Sequence, residues 1–222
     1  MLITVRLFAW LAGLGASVGL WRVYRASQAT DALKNLVSSL VVLAGALAGG
    51  RAVYVLTHQA YFKVYPELAA RFWLGGVNAF GAIAGGVLCA GLTALVLRRS
   101  MCGTLDLMSV ILLPLGVTTW LGLWGDGVGY GKTLPEGTLG AFLSPDESGL
   151  LLPRFPLQLV AAVSLAVVLW LAERLTKESQ AGVRSGWTGL ILSLHTALLC
   201  WFRADPAPVL AGVRSDVLLA LG

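Results

Sequence analysis

Five polar residues lie within or beside long apolar stretches of this chain and are the residues most able to do chemistry there: Arg51, Asn78, Asp126, Lys132 and Arg203. A guanidinium pairs with a phosphate through two parallel hydrogen bonds, and an ammonium group adds a compact positive charge. Asn78, Asp126 and Lys132 could act beside a bound headgroup. These residue types predict a site for an anionic, phosphate-bearing ligand, most simply a membrane phospholipid.

Arg51 is the most anomalous of the five, because it interrupts the apolar stretch 43–56. A charged side chain inside a bilayer costs at least about 2.5–3.5 kcal/mol and is normally paired or turned toward a polar cavity. Two interpretations are open: Arg51 binds an anion, or its side chain snorkels to the nearby membrane interface.

Asn78 lies in a glycine-rich stretch, residues 73–86, in which Gly81 and Gly85 form a GxxxG pair. Such a pair is typical of close packing between membrane helices. Alternatively, the glycines around Asn78 break the helix and expose backbone amides in a cavity. The pattern alone leaves both interpretations open.

The other candidates stand at the ends of apolar segments. Asp126 and Lys132 follow an aromatic-rich segment end, where aromatic residues ordinarily form an interfacial belt, and Arg203 is typical of an interfacial anchor. A headgroup site would use the same three side chains. His195, in the middle of a segment, favours an interhelical hydrogen bond over catalysis.

The composition defines the broad class of protein. Of the 222 residues, 57% are apolar and only 12% are charged, and the mean hydropathy is +0.81. Soluble domains carry about 25% charged residues, so a cytosolic enzyme, a nucleic-acid-binding domain and a disordered chain are excluded despite the net charge of +5. Three scattered cysteines and two histidines give no metal-ligand spacing, so no cofactor and no disulfide framework is predicted.

Six apolar segments are candidates for membrane spans, each bounded by charges or by glycine and proline. They cover residues 3–21, 36–57, 72–97, 104–124, 156–172 and 186–202. We therefore expect an all-α, polytopic transmembrane helical bundle, with residues 1–222 forming a single integral-membrane domain. The Gly/Pro-rich segment 125–155 is expected to form external loops, and residues 207–222 a short interfacial tail or the start of a further helix.

Lysine and arginine in the loops predict the orientation of the bundle. The short connections after the first, third and fifth segments are densely basic, whereas the remaining loops are longer and mix basic with acidic residues. The N-terminus is therefore expected outside.

Several motifs, taken in order, resemble those of the prolipoprotein diacylglyceryl transferase family. The resemblance spans most of the chain and depends on shared order and spacing. The matching residues are Gly49–Leu56 with Pro66; Trp73, Gly75 and Gly76; Gly85 and Gly86; Asp106; Pro114–Gly116; Gly122, Gly127, Tyr130 and Gly131, with Lys132 where the family has arginine; Arg154, Pro156, Gln158 and Leu159; and Trp201–Arg203.

The resemblance implies a multi-pass enzyme of a bacterial-type plasma membrane. It would move a diacylglyceryl group from phosphatidylglycerol to the lipobox cysteine of a lipoprotein precursor, releasing glycerol phosphate. That reaction needs an activated thiol and stabilisation of the departing phosphate, and Arg51 and Arg203 are retained residues suited to the second task. The resemblance also implies a seventh helix, of which this chain would carry at most the beginning.

The sequence departs from the family where polar residues are expected. Mostly apolar residues take these places: Phe80, Trp120, Leu123, Val128, Phe155, Val160, Ala161, Leu192, Thr196 and Cys200, with Asp126 in place of an asparagine. Phenylalanine, tryptophan, leucine, valine and alanine can neither take a thiol proton nor hold a phosphate. What survives is mostly scaffold, together with Arg51 and Arg203.

Three functions from different classes remain open. The first, which the retained arginines favour, is a divergent family protein that binds an anionic phospholipid or a lipoprotein in a membrane cavity without the family's catalysis. The second is an active diacylglyceryl transferase with a rearranged site that uses Asp126, Lys132 and the arginines. The third is a structural subunit of a membrane complex, with other membrane subunits as its partners.

Overall fold

The computed structural model describes residues 7–72, 75–146 and 148–206, together with the backbone of Val209–Leu210 and Val213–Arg214. Residues 3–6 of the first predicted segment lie outside the described residues, as does most of the tail predicted at 207–222. The two short strands in that tail, β3 (Val209–Leu210) and β4 (Val213–Arg214), pair antiparallel.

Helices make up most of the described part of the chain, which confirms the predicted all-α bundle. They are α1 (Leu7–Ala26), α2 (Ala32–Thr57), α3 (Gln59–Val64), a 3₁₀ turn (Pro66–Leu68), α4 (Ala79–Val96), α5 (Met101–Ser109), α6 (Leu112–Gly125), α7 (Leu157–Leu175) and α8 (Val183–Cys200). One antiparallel hairpin interrupts the pattern, between β1 (Phe142–Pro145) and β2 (Leu151–Arg154).

Four of the described helices, α1, α2, α4 and α7, are long and apolar enough to span a membrane. Helices α5 and α6 meet at a bend of 46° and together would make a fifth span. Helix α8 occupies the place of the sixth predicted segment but is not among these spans, since Arg184, His195 and several hydroxyl residues dilute its apolar surface. By length and composition, the described residues therefore contain four or five candidate spans, and α8 occupies the place of the remaining predicted segment.

The third predicted segment, residues 72–97, is not one continuous helix. Helix α4 begins only at Ala79, because Gly75 and Gly76 have φ angles of +90° and +79° that no right-handed helix contains. Asn78 has an extended backbone and is the N-cap of α4. Residues 75–78 are thus an irregular connection, which shortens the predicted span at its start.

The bundle is held by close helix crossings and a small apolar core. Helix α2 packs along α4, and α1 along α6, with glycines at the crossing points. Val23 of α1 is fully buried against Met108, Val110 and Ile111 at the bend between α5 and α6. Small residues let these backbones approach closely, which is the main source of attraction between helices in lipid.

The six long or paired helices alternate in direction, so their ends collect at two faces. One face, which we call the loop end, contains residues 57–72, 75–78, 126–146, 148–156 and 200–206; Leu7 of α1 also contacts it, through Gly125. The opposite face, which we call the basic end, contains residues 22–34, 97–110 and 170–184. The described residues of the Gly/Pro-rich segment after α6, residues 126–146 and 148–156, contain no helix, and they form the β1–β2 hairpin.

Candidate functional site

All five sequence-predicted site residues lie at or near the loop end, in two groups. Arg51 and Asn78 come together where α2 meets the start of α4, and Lys132 and Arg203 come together where the Gly/Pro-rich segment meets the end of α8. Asp126 is the C-cap of α6 and begins the Gly/Pro-rich segment. The sequence alone did not show which candidates would pair.

The Arg51 guanidinium is directed at the connection between α3 and α4. Its N–H groups donate to four main-chain carbonyl oxygens: Nε to Ala69 at 2.8 Å, Nη1 to Gly75 at 2.6 Å and Gly76 at 2.9 Å, and Nη2 to Leu68 at 2.6 Å. The cation is therefore satisfied by backbone groups and holds an irregular segment against α2. Anion binding by Arg51 stays a prediction, while its positioning role is visible in these bonds.

Two aromatic rings complete the surroundings of Arg51. Its Cζ atom lies 5.6 Å from the centre of the Tyr54 ring and 5.3 Å from that of Phe62, both in the range of cation–π attraction. A β-carbon on Gly76 would lie 2.4 Å from the Tyr54 ring, so only glycine fits there. The guanidinium is enclosed by carbonyl oxygens and ring faces, which explains how an arginine is accommodated in this apolar helix.

Asn78 caps helix α4 rather than lining an open set of amides. Its Oδ1 accepts a hydrogen bond from the N–H of Gly81 at 3.0 Å, and its own N–H donates to the carbonyl of Gly50 at 3.0 Å. Both sequence interpretations of this stretch therefore hold in part. The helix does break at the glycines before Asn78, and the glycines after it pack tightly against α2.

Residues 130–132 lie between two other segments of the loop end, residues 154–155 and 202–204. Gly131 and Arg203 form an antiparallel bridge. The main-chain bonds around it run from Lys132 N–H to Phe202 (3.3 Å), from Ala204 N–H to Tyr130 (2.9 Å) and from Phe155 N–H to Lys132 (3.0 Å). A β-carbon on Gly131 would lie 2.3 Å from the Phe155 carbonyl oxygen, so this close approach requires glycine.

Arg203 is fixed by a carboxylate two residues further along the chain. Its Nε donates to Oδ1 of Asp205 at 2.8 Å and its Nη2 to Oδ2 at 2.5 Å, a two-pronged ion pair in which Asp205 is buried. The Lys132 side chain is exposed and that of Asp126 is half-buried; neither has a side-chain partner within the described residues. Lys132 is therefore the more accessible cation of this group.

Arg154, the last residue of β2, is a further candidate for the site and was not among the five residues predicted from the sequence. It is only 5% exposed, and its Cζ lies 4.3 Å from the centre of the Tyr130 ring. Its Nη2 donates to Oδ2 of Asp146 at 3.3 Å, while its Nε has no partner within the described residues. Arg154 is therefore a buried cation at the loop end, held in place by the Tyr130 ring and Asp146. It lies next to the segment that carries Lys132.

The turn that follows Asp146 favours the ionised form of its carboxylate. The Ser148 hydroxyl donates to Oδ1 at 2.6 Å, and the N–H groups of Ser148 and Leu150 donate to the same oxygen at 2.9 and 3.0 Å. These bonds, the Ser148 hydroxyl above all, together with the charge of Arg154, hold the pKa of Asp146 below its usual value of 3.8. The hairpin thus presents a firm counter-charge to Arg154.

Gln158 is a second site candidate that was not among the five residues predicted from the sequence. It lies in the first turn of α7, is 1% exposed, and donates through Nε2 to the carbonyl of Val128 at 3.2 Å, which ties α7 to the Gly/Pro-rich segment. The signal for Tyr130, Arg154 and Gln158 was present in the sequence, because all three match the motifs that carry the family resemblance. Composition and hydropathy gave no reason to select them.

Positions at which the family resemblance implies polar residues meet in two apolar clusters at the loop end. Phe80 packs against Ala197 and Cys200 of α8. Trp120 and Phe155 pack against the buried Leu157, Ala161 and Leu199. Five departures from the family pattern therefore lie together in space as packed apolar surface: Phe80 and Cys200 in one cluster, and Trp120, Phe155 and Ala161 in the other.

His195 makes the interhelical contact that the sequence favours. Its Nε2 lies 2.9 Å from the hydroxyl oxygen of Ser164 on α7, and its ring meets that of Trp120 edge-on at 6.4 Å. The Ser164 hydroxyl also lies 2.6 Å from the carbonyl oxygen of Val160, so it is within hydrogen-bond distance of both groups. The pair joins α7 to α8.

Within the described residues no three histidine, cysteine or acidic side chains stand close enough to hold a metal ion.

The fold and the apolar helices define a multi-span helical membrane protein. The sequence model of the family described as prolipoprotein diacylglyceryl transferase matches residues 1–221. The chain belongs to that family.

Several curated relatives carry the name phosphatidylglycerol–prolipoprotein diacylglyceryl transferase. The one from Azotobacter vinelandii is 30% identical over 182 residues, which cover 78% of this chain and 66% of the relative. Those from Bacillus licheniformis and Pasteurella multocida are 30% and 34% identical over 126 and 130 residues, 56% and 57% of this chain and 46% of each relative. The matched part of the chain thus spans about half to two thirds of the length of these relatives.

Proposed function

We propose that this protein binds an anionic phospholipid headgroup of the phosphatidylglycerol type, or the lipoprotein precursor that such a lipid modifies, at the loop end of its bundle, and that it does not catalyse the family's transfer. It would do so in a bacterial-type plasma membrane, with its N-terminus and the loop end outside. The apolar clusters around Phe80 and Phe155 are the observation that carries this proposal.

The argument against transfer concerns the proton of the acceptor thiol. Diacylglyceryl transfer to a cysteine requires a group that takes the thiol proton and groups that stabilise the departing phosphate. Phe80, Trp120 and Phe155 occupy places where the resemblance implies polar residues, and their rings fill the space with carbon. His195 forms a hydrogen bond with Ser164 that joins two helices of the bundle, which gives it a structural role.

The argument for headgroup binding concerns the cations that remain. Arg154 and Arg203 flank the segment 130–132 from opposite sides, and the exposed Lys132 belongs to that segment. Asp146 and Asp205 orient the two guanidinium groups, which limits their rotamer freedom before a ligand arrives. Lys132 brings a cation to the loop end that no carboxylate of the described residues neutralises.

Arg51 contributes to this site through the segment that it holds. By holding the carbonyl groups of residues 68–69 and 75–76 it sets the position of Asn78 and therefore the start of α4, from which Phe80 reaches α8. We assign it a positioning role. Replacing Arg51 should alter lipid retention together with the stability of the connection, whereas replacing Lys132 should alter retention alone.

A single set of experiments separates the three functions. The full chain is produced in a bacterial strain depleted of its own transferase, and the purified protein is incubated with labelled phosphatidylglycerol and a lipobox peptide. We expect no growth and no labelled peptide. Growth with labelled peptide would overturn the proposal and establish the active transferase with a rearranged site.

Native mass spectrometry of the full chain then tests lipid binding. Arg203→Gln and Lys132→Gln should each lower the retained phosphatidylglycerol by about tenfold, as expected for one charge-assisted hydrogen bond. Lys63→Gln is the matched control, because Lys63 is exposed at the same end of the bundle. Equal retention by all three variants would reject the headgroup site and leave the structural-subunit function, which predicts stoichiometric co-purification of partner proteins.

A further inference from the structure

A polar cavity lies at the basic end, opposite the candidate site. It has a volume of about 310 Å³ and is lined by Arg22, Val110, Trp170, Glu173, Arg174 and Arg184. The walls come from the ends of α1 and α7, the start of α8 and the bend between α5 and α6. Three guanidinium groups face one carboxylate there, so positive charge is in excess.

One wall of this cavity is already built from paired groups. Arg22 donates through Nη2 to Oε2 of Glu173 at 2.5 Å and through Nη1 to the carbonyl of Val110 at 2.7 Å. These bonds join three elements, α1, α7 and the α5–α6 bend. Arg22 is therefore a structural residue of the wall, and the remaining arginines carry the excess charge.

Two residues of the cavity lining also carry polar atoms without partners. The Nε of Arg184 and the Oε1 of Glu173 are both buried, and neither has a hydrogen-bond partner within the described residues. The guanidinium of Arg174 lies 5.1 Å from the centre of the Trp170 ring and forms no ion pair with any described residue. Buried donors and acceptors are nearly always satisfied, so an unpaired donor and an unpaired acceptor on two residues of one cavity favour a ligand that draws these side chains toward it and supplies their partners.

We propose that this cavity binds a phosphate ester whose headgroup carries a hydrogen-bond donor. Arg174 and Arg184 hold the phosphate oxygens, and Oε1 of Glu173 accepts from a hydroxyl or ammonium group of the same ligand. The proposal is independent of the function suggested for the loop end, because the two sites share no residue.

The surface beside the cavity favours a membrane lipid as the source of that phosphate. Trp170, Leu171 and Leu175 are 49%, 44% and 84% exposed, and they give α7 an apolar flank along which acyl chains can lie. Tryptophan is enriched at the depth of lipid headgroups, where its ring is apolar and its N–H is wet. A lipid such as phosphatidylethanolamine or phosphatidylglycerol has the required donor, whereas phosphatidylcholine lacks it.

The test uses the full chain, native mass spectrometry and three lipids of identical acyl chains: phosphatidylethanolamine, phosphatidylglycerol and phosphatidylcholine. Arg184→Gln and Arg174→Gln are compared with Lys177→Gln, an exposed cation at the same end that does not line the cavity. Arg203→Gln reports separately on lipid held at the loop end. Circular dichroism and gel filtration of each variant establish that it is folded.

We expect Arg184→Gln to retain about tenfold less phosphatidylethanolamine than Lys177→Gln, the loss of one charge-assisted hydrogen bond. Arg174→Gln should act in the same direction and replaces Arg184→Gln if that variant does not fold. Glu173→Gln should reduce the preference for phosphatidylethanolamine over phosphatidylcholine. If Arg184→Gln and Arg174→Gln both retain as much lipid as Lys177→Gln, the proposal is wrong.

A soluble arm identifies the source of the phosphate. Glycerol phosphate is offered to the lipid-stripped protein, and its binding is compared between the wild type and Arg184→Gln. Arg184-dependent binding of glycerol phosphate that displaces the lipid would support the same chemistry with a soluble ligand. Arg184-dependent lipid retention that glycerol phosphate leaves intact supports a membrane lipid.

Discussion

A β-carbon placed on Gly85 would lie 2.2 Å from the carbonyl oxygen of Gly45, so helices α2 and α4 cross with their backbones in contact. The same is true one turn along, where a β-carbon on Gly49 would lie 2.4 Å from the carbonyl oxygen of Gly81. Backbone atoms cannot move aside as a flexible side chain can. This crossing fixes the position of Arg51 relative to Asn78.

We therefore expect Gly85→Ala to destabilise the protein by about 1–3 kcal/mol, the usual cost of forcing extra atoms into a packed contact. Thermal unfolding in detergent, followed by circular dichroism, measures this. Gly86→Ala is the matched control, since its β-carbon would meet its nearest neighbour at an ordinary 3.6 Å. Equal melting temperatures for the two variants would contradict the close crossing.

Arg51→Gln should destabilise the protein by about 2–3 kcal/mol, because carbonyls that now accept charge-assisted hydrogen bonds lose their partner. Amide hydrogen exchange should rise selectively in residues 68–76. Arg51→Lys should fall between the wild type and Arg51→Gln, since an ammonium keeps the charge but cannot reach four carbonyls. Arg25→Gln is the control, as Arg25 is exposed and contacts Trp21 through cation–π attraction. Unchanged exchange in Arg51→Gln would show that the guanidinium does not hold this connection.

Phe80→His returns a polar residue to a place where the family resemblance implies one. Because Phe80 packs on Ala197 and the buried Cys200, we expect the imidazole to lose about 1–3 kcal/mol of stability for want of a partner. Phe80→Leu, which keeps the site apolar, should cost less. A Phe80→His variant as stable as the wild type would mean that this region admits water, which is the condition that an active transferase needs.

The β1–β2 hairpin should weaken in acid. The pKa of Asp146 is lower in the folded protein than its usual value of 3.8, so its contribution to stability is fully present above that value and is lost as the pH falls through the folded-state pKa. Amide exchange of residues 142–154, corrected for the intrinsic rate, should therefore increase between pH 5 and pH 3 in the wild type. In Asp146→Asn this increase should be smaller. A parallel increase in both proteins would assign the acid sensitivity to another group.

The helices at the centre of the bundle could be predicted well, and the candidate site only in part. The segment predicted at 36–57 is α2, and the one predicted at 156–172 is the first part of α7, because a run of apolar residues of membrane thickness has few alternatives to a helix. The segment predicted at 72–97 begins seven residues early. Hydropathy does not register that Gly75 and Gly76 adopt positive φ angles.

The partners of the polar residues are the part that hydropathy could not supply. Arg51 and Arg203 look alike in the sequence, as cations at the edge of apolar runs. In the folded chain, four carbonyls of one irregular segment surround Arg51, whereas Arg203 forms a two-pronged ion pair with Asp205. A side chain's partner depends on which segment lies within a few ångströms, and hydropathy carries no information about that distance.

The amino-acid sequence by itself determined that the protein is a helical membrane protein of the diacylglyceryl transferase family, and it predicted apolar residues at places where the family resemblance implies polar ones. Those properties follow from residue chemistry and order along the chain. Only the tertiary structure decided that Phe80, Phe155 and Cys200 close into apolar clusters, that Arg154 stacks on Tyr130, and that Arg184 and Glu173 line a cavity at the basic end. Each of these joins residues far apart in the chain, and it is helix packing that brings them into contact.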